Sequence, residues 1–144
     1  MNGRKRHLLV DTLGLLWMVV VHVASVQDYD GGKLVLDKVR ALQATLPRLA
    51  VIWADSIYAA LLDWVTALGC WVLEVVRRSK ETTGFVVLRH RWIVERTFGW
   101  FGNYRRLSKD YEELPAVSEA LCYWAMVHLM ARRLTHGQTA WRGP

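Results

Sequence analysis

Apolar residues change their period several times along the chain, and each change marks an element. "HLLVDTLGLLWMVVVHVASV" (residues 7–26) is nearly continuous in apolar residues, broken by Asp11 and Gly14 at the first and last positions of a four-residue turn. It predicts two strands joined tightly, with the β-branched Val19, Val20 and Val21 favouring extended backbone. Asp11 is expected to accept backbone hydrogen bonds within that turn. Next, Val35, Val39, Leu42 and Leu46 recur at helical spacing, with Asp30 as N-cap and Pro47 as terminator. "LAVIWAD" (49–55) is a short apolar run expected to be buried on both faces, ending abruptly in Asp55.

A helix over "IYAALLDWVTAL" (57–68) should stop at Gly69, and "CWVLEVVRR" (70–78) reads as the next strand. After the polar "SKETTG" comes a short extended piece, "FVVL" (85–88), then a helix from about Arg91 to Gly102. "SEALCYWAMVHLMARRL" (118–134) is apolar around most of its circumference, the pattern of a buried helix. The tail from 135 to 144 reads as disordered. Strands alternating with helices predict an α/β fold in one domain over residues 1–134, with helices on the faces of a sheet.

Composition narrows the partners. A chain of 144 residues, 53% of them hydrophobic, can bury a real core. Its net charge of +6 points to a polyanion, either nucleic acid or an anionic membrane surface. Eight tryptophans fall mostly in apolar segments and are expected to pack inside; only Trp92 and Trp100 lie in the basic region. Cys70 and Cys122 stand alone in apolar runs, without the spacing of a zinc site or redox dithiol, and suit a reducing cytoplasm. His22 and His128 read as core or partly buried residues. The basic "NGRKRH" ahead of an apolar run resembles an export signal, but Asp11 and the valines favour a strand, and the run is too short to span a bilayer as a helix.

Between Arg89 and Lys109 there are six Arg or Lys and one carboxylate, Glu95. Arg91, Glu95, Gly99 and Gly102 share a helical face. Glycines at two helical positions cost about 1 kcal/mol each relative to alanine, a cost that makes sense where a ligand or another backbone approaches closely. Arg91 and Glu95 can equally be a plain helix pair worth about 0.2–0.5 kcal/mol. Asp55, at the carboxyl end of an apolar strand, stands where α/β sheets gather ligands, although capping the next helix is as natural a role. A carboxylate in a basic surface repels DNA unless a divalent cation intervenes, and oxygen ligands suit magnesium or manganese. No phosphate-binding Gly-rich loop, dinucleotide fingerprint or zinc-protease motif occurs.

Three stretches together, "GRKRHLLVDTLGLL", "VVHVASVQDYDGG" with "IWADSIYA", and "RWIVERTFGWFGNYRRLSKDYEEL", resemble the bacterial insertion-sequence DDE transposases. The resemblance runs from about Gly3 to Leu134 and implies an incomplete RNase H-like fold, with a mixed sheet of about four strands. It implies a magnesium- or manganese-dependent nuclease and strand-transferase acting on the DNA ends of an insertion element. Asp55 matches the second aspartate of the triad and Glu95 the glutamate, both as metal ligands. Arg91, Arg96, Arg105, Arg106 and Lys109 would face the DNA.

The family's first aspartate lies on a strand ahead of "GRKRH", and Asp11 does not match it, so the triad is expected to be incomplete in this chain. Ser56 and Ile57 stand where the family commonly has glycine, and Arg89 where it has proline. The resemblance implies cytoplasmic DNA transposition, with an upstream-frame polypeptide or further copies of the chain as protein partners. A non-catalytic DNA-binding regulator needs only the basic surface, and an exported protein rests on the N-terminal run alone.

Overall fold

The computed structural model describes residues 3–77, 90–109 and 111–136. Strands β1 (Arg4–Val10) and β2 (Leu16–Val23) form an antiparallel hairpin, with Arg4 opposite Val23 and a bulge between Leu9 and Val10. The turn is built as the sequence predicts. Asp11 Oδ1 accepts from the Leu13 and Leu15 amides, each at 2.9 Å. The Gly14 amide donates to the Asp11 carbonyl at 3.0 Å, with Gly14 at φ +82°, a conformation that favours glycine.

Helix α1 (Asp28–Ala41) follows, then a single 3₁₀ turn (Gln43–Thr45) and β3 (Val51–Asp55). A 3₁₀ stretch (Ser56–Leu61) leads into α2 (Leu62–Leu68), which ends on Gly69 at φ +65°. Strand β4 (Val72–Val76) lies parallel to β3, as a strand–helix–strand unit allows. Helices α3 (Arg91–Gly102), α4 (Arg105–Ser108) and α5 (Pro115–Thr135) complete the order. Pro115 opens α5, where its missing N–H costs nothing.

Strand β2 is buried on nearly every residue because each face meets a different helix. Met18 and Val20 pack with Val35, Leu36 and Val39 of α1, whereas Val19 and Val21 pack with Cys122, Ala125 and Met126 of α5. An uninterrupted apolar run in a period-2 element means this: both faces are covered. The edge of β2 away from β1 is covered as well, by side chains rather than a strand. Tyr123 Oη accepts from the Val19 amide at 3.1 Å, and Glu119 Oε1 from the Val21 amide at 2.9 Å. Glu119 is also paired with Lys38 of α1 at 3.1 Å. Glu119→Leu should therefore cost about 1.5–3 kcal/mol, because the Val21 amide loses a charged acceptor; urea unfolding of the two proteins checks this.

Several expectations change. The four strands make two separate two-stranded sheets, β1–β2 and β3–β4, and not one mixed sheet. A groove parts β1 from β3, and it leaves one face of β3 open: Trp53 is 41% exposed, against the expected burial on both faces. Asp30 does not cap α1. The helix starts earlier, at Asp28, which places two acids in the positive first turn, and Asp28 turns to Lys5 at 3.2 Å. Helix α5 is half open, with Trp124 and Leu134 largely exposed, since only the side toward β2, the end of α3 and α4 finds partners. His128 is exposed, bonded to the Tyr104 hydroxyl at 2.9 Å, whereas His22 is buried as expected. Trp71 and Trp100 are buried, but Trp53, Trp92 and Trp124 are not. "FVVL" and residues 137–144 lie outside the described residues. No described helix is long and apolar enough to cross a membrane.

Candidate functional site

Asp55 is the last residue of β3, and its carboxylate divides its work. Oδ1 accepts from the Ser56 amide at 2.6 Å and from the Ser56 hydroxyl at 3.2 Å, holding the strand-to-helix corner. Oδ2 faces Arg91, 3.9 Å from Nη1. Arg91, the first residue of α3, donates from Nε to Glu95 Oε1 at 3.1 Å. The plain helix pair therefore exists, and Arg91 extends it across to Asp55. One guanidinium bridges two carboxylates that are 40 residues apart in sequence. All three side chains are substantially exposed, on the rim of a cavity of about 340 Å³ whose walls include Arg6–Leu9 of β1, Ile52–Asp55 of β3, and Val94 and Phe98 of α3.

The position of Glu95 is set by its neighbours on α3. Thr97, fully buried, donates from Oγ1 to the Gly14 carbonyl at 2.7 Å. Arg96 donates to the Leu13 carbonyl at 2.7 Å. Its guanidinium lies 4.5 Å from the centre of Trp92 and 5.0 Å from that of Trp100, with Arg133 on Trp100 at 4.8 Å. Burial, then the nearby Arg133, lowers the Arg96 pKa. The hairpin turn thus anchors the helix that carries Glu95. Sequence spacing did not reveal Thr97; a lone threonine in a basic helix has no signature of a long-range anchor.

The basic residues divide into two groups. Arg105 and Lys109 are exposed and make no ion pair among the described residues. Arg106 is exposed but paired with Glu112, at 2.6 and 3.0 Å. Arg96, as above, is engaged within the fold. Gly99 and Gly102 are open: a Cβ at either would meet nothing within 4 Å, so no part of the described chain uses the space they leave. His90, at φ +70°, stacks on Trp53 at 4.2 Å, and Trp53 Nε1 donates to Glu74 at 2.7 Å.

A second polar cluster lies beneath the rim. His7 Nδ1 and the Tyr58 hydroxyl are 2.6 Å apart, and His7 stacks on His22 with ring centres 4.7 Å apart. Burial pushes the Tyr58 hydroxyl up to about 12, helped by Asp28 and Asp55. Burial first, then His22 and Lys5, lowers the His7 pKa against the opposing pull of Asp28. A histidine that is harder to protonate when folded favours the folded state only while it is neutral. Its contribution is complete above the unfolded value of 6.5 and is lost as pH falls from there toward the lowered folded value. Unfolding free energy should therefore drop between pH 7.5 and 5, and His7→Gln should flatten that drop in urea titrations.

Asp55 and Glu95 are thus two carboxylates joined by an arginine at the mouth of an α/β groove. The transposase DDE domain family matches residues 1–130. The chain belongs to that family. Over 114 residues this transposase domain is 25% identical to a putative transposase for insertion sequence element IS402 from Burkholderia cepacia. That alignment covers 76% of the chain and 54% of the relative, so the chain spans about half the relative's length. No solved structure matches it. Among the described residues, no group of three or more His, Cys, Asp or Glu is placed to hold a metal ion.

Proposed function

We propose that this chain is the part of an insertion-element transposase, with an RNase H-like core, that supplies two of three metal-binding acids, Asp55 and Glu95, and a phosphate-binding surface for the element's DNA ends. The observation that carries it is Arg91, which draws the two carboxylates to one rim. Two carboxylates fit magnesium or manganese, which commonly take one or two from the protein and complete their shell with waters and substrate phosphates. A divalent ion there would neutralise the repulsion between carboxylate and phosphate and stabilise the oxygens of an in-line displacement. Arg91 would then move from between the acids to a phosphate. Arg105 and Lys109, exposed and without an ion pair among the described residues, meet the backbone first; Arg96 and Arg106 add their charge while holding their internal partners. Gly99 and Gly102 leave the helix surface beside Glu95 low enough for a sugar–phosphate chain.

Alone, the chain binds DNA and does not cut it, because a third acid is lacking among the described residues. The test is binding of an element-end duplex over a range of salt. Each phosphate neutralised contributes about 0.9 to the slope of log affinity against log salt. Arg105→Glu with Lys109→Glu should weaken binding and flatten the slope by roughly 2. An unchanged slope would remove this surface from the DNA interface. Magnesium-dependent nicking by the purified chain, lost in Glu95→Gln, would overturn the expected inactivity.

A further inference from the structure

Helix α5 turns Cys122, Ala125 and Met126 inward, where they are buried with Val19 and Val21 of β2, Trp100 and Phe101 of α3 and Leu107 of α4. Its opposite side is apolar too. Val117, Ala120, Trp124, Val127, Ala131 and Leu134 follow one another at spacings of three and four residues in turn, the a/d repeat of a two-helix seam. All six are exposed, Trp124 at 73% and Leu134 at 85%. From Ala116 to Ala131, no exposed residue of α5 is Asp, Glu, Lys or Arg. The outward face of α1 is built differently, with Asp30, Asp37, Lys38 and Arg40 all exposed. An apolar stripe of that length, with charge only at its two ends, is an interaction surface and not a solvated helix face.

The order of residues on the stripe names its occupant. Turned end to end, the stripe falls on itself: Val117 comes opposite Leu134, Ala120 opposite Ala131, and Trp124 opposite Val127. A two-fold axis demands this of a self-contact, because the residue that each one meets must meet it in return. The sizes fit as well. Side chains on a helix lean toward its N-terminus, so Trp124 leans toward the level of Ala131 in the second copy, where a methyl leaves room for the indole. Charge selects the same orientation. The last turn of α5 carries Arg132 and Arg133 at the negative pole of the helix, whereas Glu112 and Glu113 precede its positive pole. An antiparallel pair brings the basic end of one copy to the acidic end of the other. A parallel pair would set two basic ends together, in a chain that already carries +6.

We propose that the outward face of α5 is a self-association surface: two copies of this chain pair through antiparallel α5 helices, with Trp124 of each against Val127 of the other at the centre. The seam lies apart from the candidate site, because no residue of α5 lines the cavity at whose rim Asp55, Arg91 and Glu95 stand. The inference goes beyond the metal and DNA reading and does not depend on it. Aromatic anchors near the middle of an interface carry a large share of its binding energy, which makes Trp124 the residue to change. Being largely exposed in the single chain, it can be replaced without loss of the fold.

The test is sedimentation equilibrium of the purified chain over a range of concentrations, joined to disulfide trapping. A reversible monomer–dimer equilibrium is expected, and Trp124→Glu should raise its dissociation constant roughly thirtyfold or more. Val127→Glu should act in the same direction. Leu34→Glu, at an exposed apolar position of α1, and Glu95→Gln should leave the equilibrium unchanged. For the register, an isotopically heavy Ala120→Cys chain is mixed with a light Ala131→Cys chain and oxidised. Disulfides between heavy and light chains are expected; disulfides joining two Ala120→Cys chains would overturn the antiparallel register. A dimer that Trp124→Glu leaves intact would place the contact elsewhere and overturn the proposal. So would a chain that stays monomeric at every concentration; adsorption of that monomer to phosphatidylglycerol vesicles, lost in Trp124→Glu, would give the face to a lipid surface instead.

Discussion

Gly31→Ala is expected to destabilise the domain by about 1–3 kcal/mol in urea unfolding, enough to threaten the fold at physiological temperature. In an ordinary helix interior the same change is favourable by roughly 0.5–1 kcal/mol. At Gly31 of α1, however, an added Cβ would overlap the Nε2 atoms of both His7 and His22. Neither imidazole can step aside. His7 is held by Tyr58, His22 Nδ1 lies 2.9 Å from the Val23 carbonyl, and the two rings are stacked and buried. Gly99 is the internal control. It lies on α3 with nothing within 4 Å of its Cβ position, so Gly99→Ala should stabilise by about 1 kcal/mol. Opposite signs for one chemical change, read from the same denaturation curves, follow from what each glycine faces.

The second large effect concerns the sign of DNA binding at Asp55 and Glu95. In chelator, each exposed carboxylate repels approaching phosphates by about 1 kcal/mol at close range. Asp55→Asn and Glu95→Gln should each raise metal-free affinity, about fivefold at that energy. With magnesium, the native chain should gain affinity and the variants should not, so the order of affinities reverses. Removing Arg91 would be ambiguous, since Arg91→Ala frees both acids and deletes a cation at once. The neutral isosteres are cleaner, and fluorescence anisotropy on one duplex with and without magnesium reads both effects.

The contrast between Gly31 and Gly99 also marks where sequence reasoning reaches. The hairpin over Arg4–Val23 was legible because Asp11 and Gly14 announce its turn, and α3 because its boundaries coincide with the helical period from Arg91 to Gly102. The partnership of Asp55 with Glu95 was legible only through resemblance; local spacing offers a cap for one and an i,i+4 pair for the other, and both of those contacts are present. What local pattern cannot encode is the company kept across the fold. The anchoring of α3 by Thr97 and Arg96 on the hairpin turn joins residues more than 80 positions apart. The split into two sheets depends on which strand edges face one another, and apolar periodicity describes faces, not edges. Helix α5 is less buried than its sequence predicts for a related reason: an apolar circumference states what a helix could bury, and the partners available, here one face of β2 with Trp100, Phe101 and Leu107, decide how much it does.

The arrangement has a consistent logic. A hairpin fixes α3 through its turn, α3 presents Glu95 to the end of β3, and Arg91 holds the two acids in register at the rim of the groove. Whether that rim is a metal site can be read without any assay of DNA joining. Manganese titrated into the chain with an element-end duplex, followed by electron paramagnetic resonance of the free ion, should reveal a class of bound manganese that Asp55→Asn and Glu95→Gln each remove. Manganese binding unchanged in both variants would contradict the account.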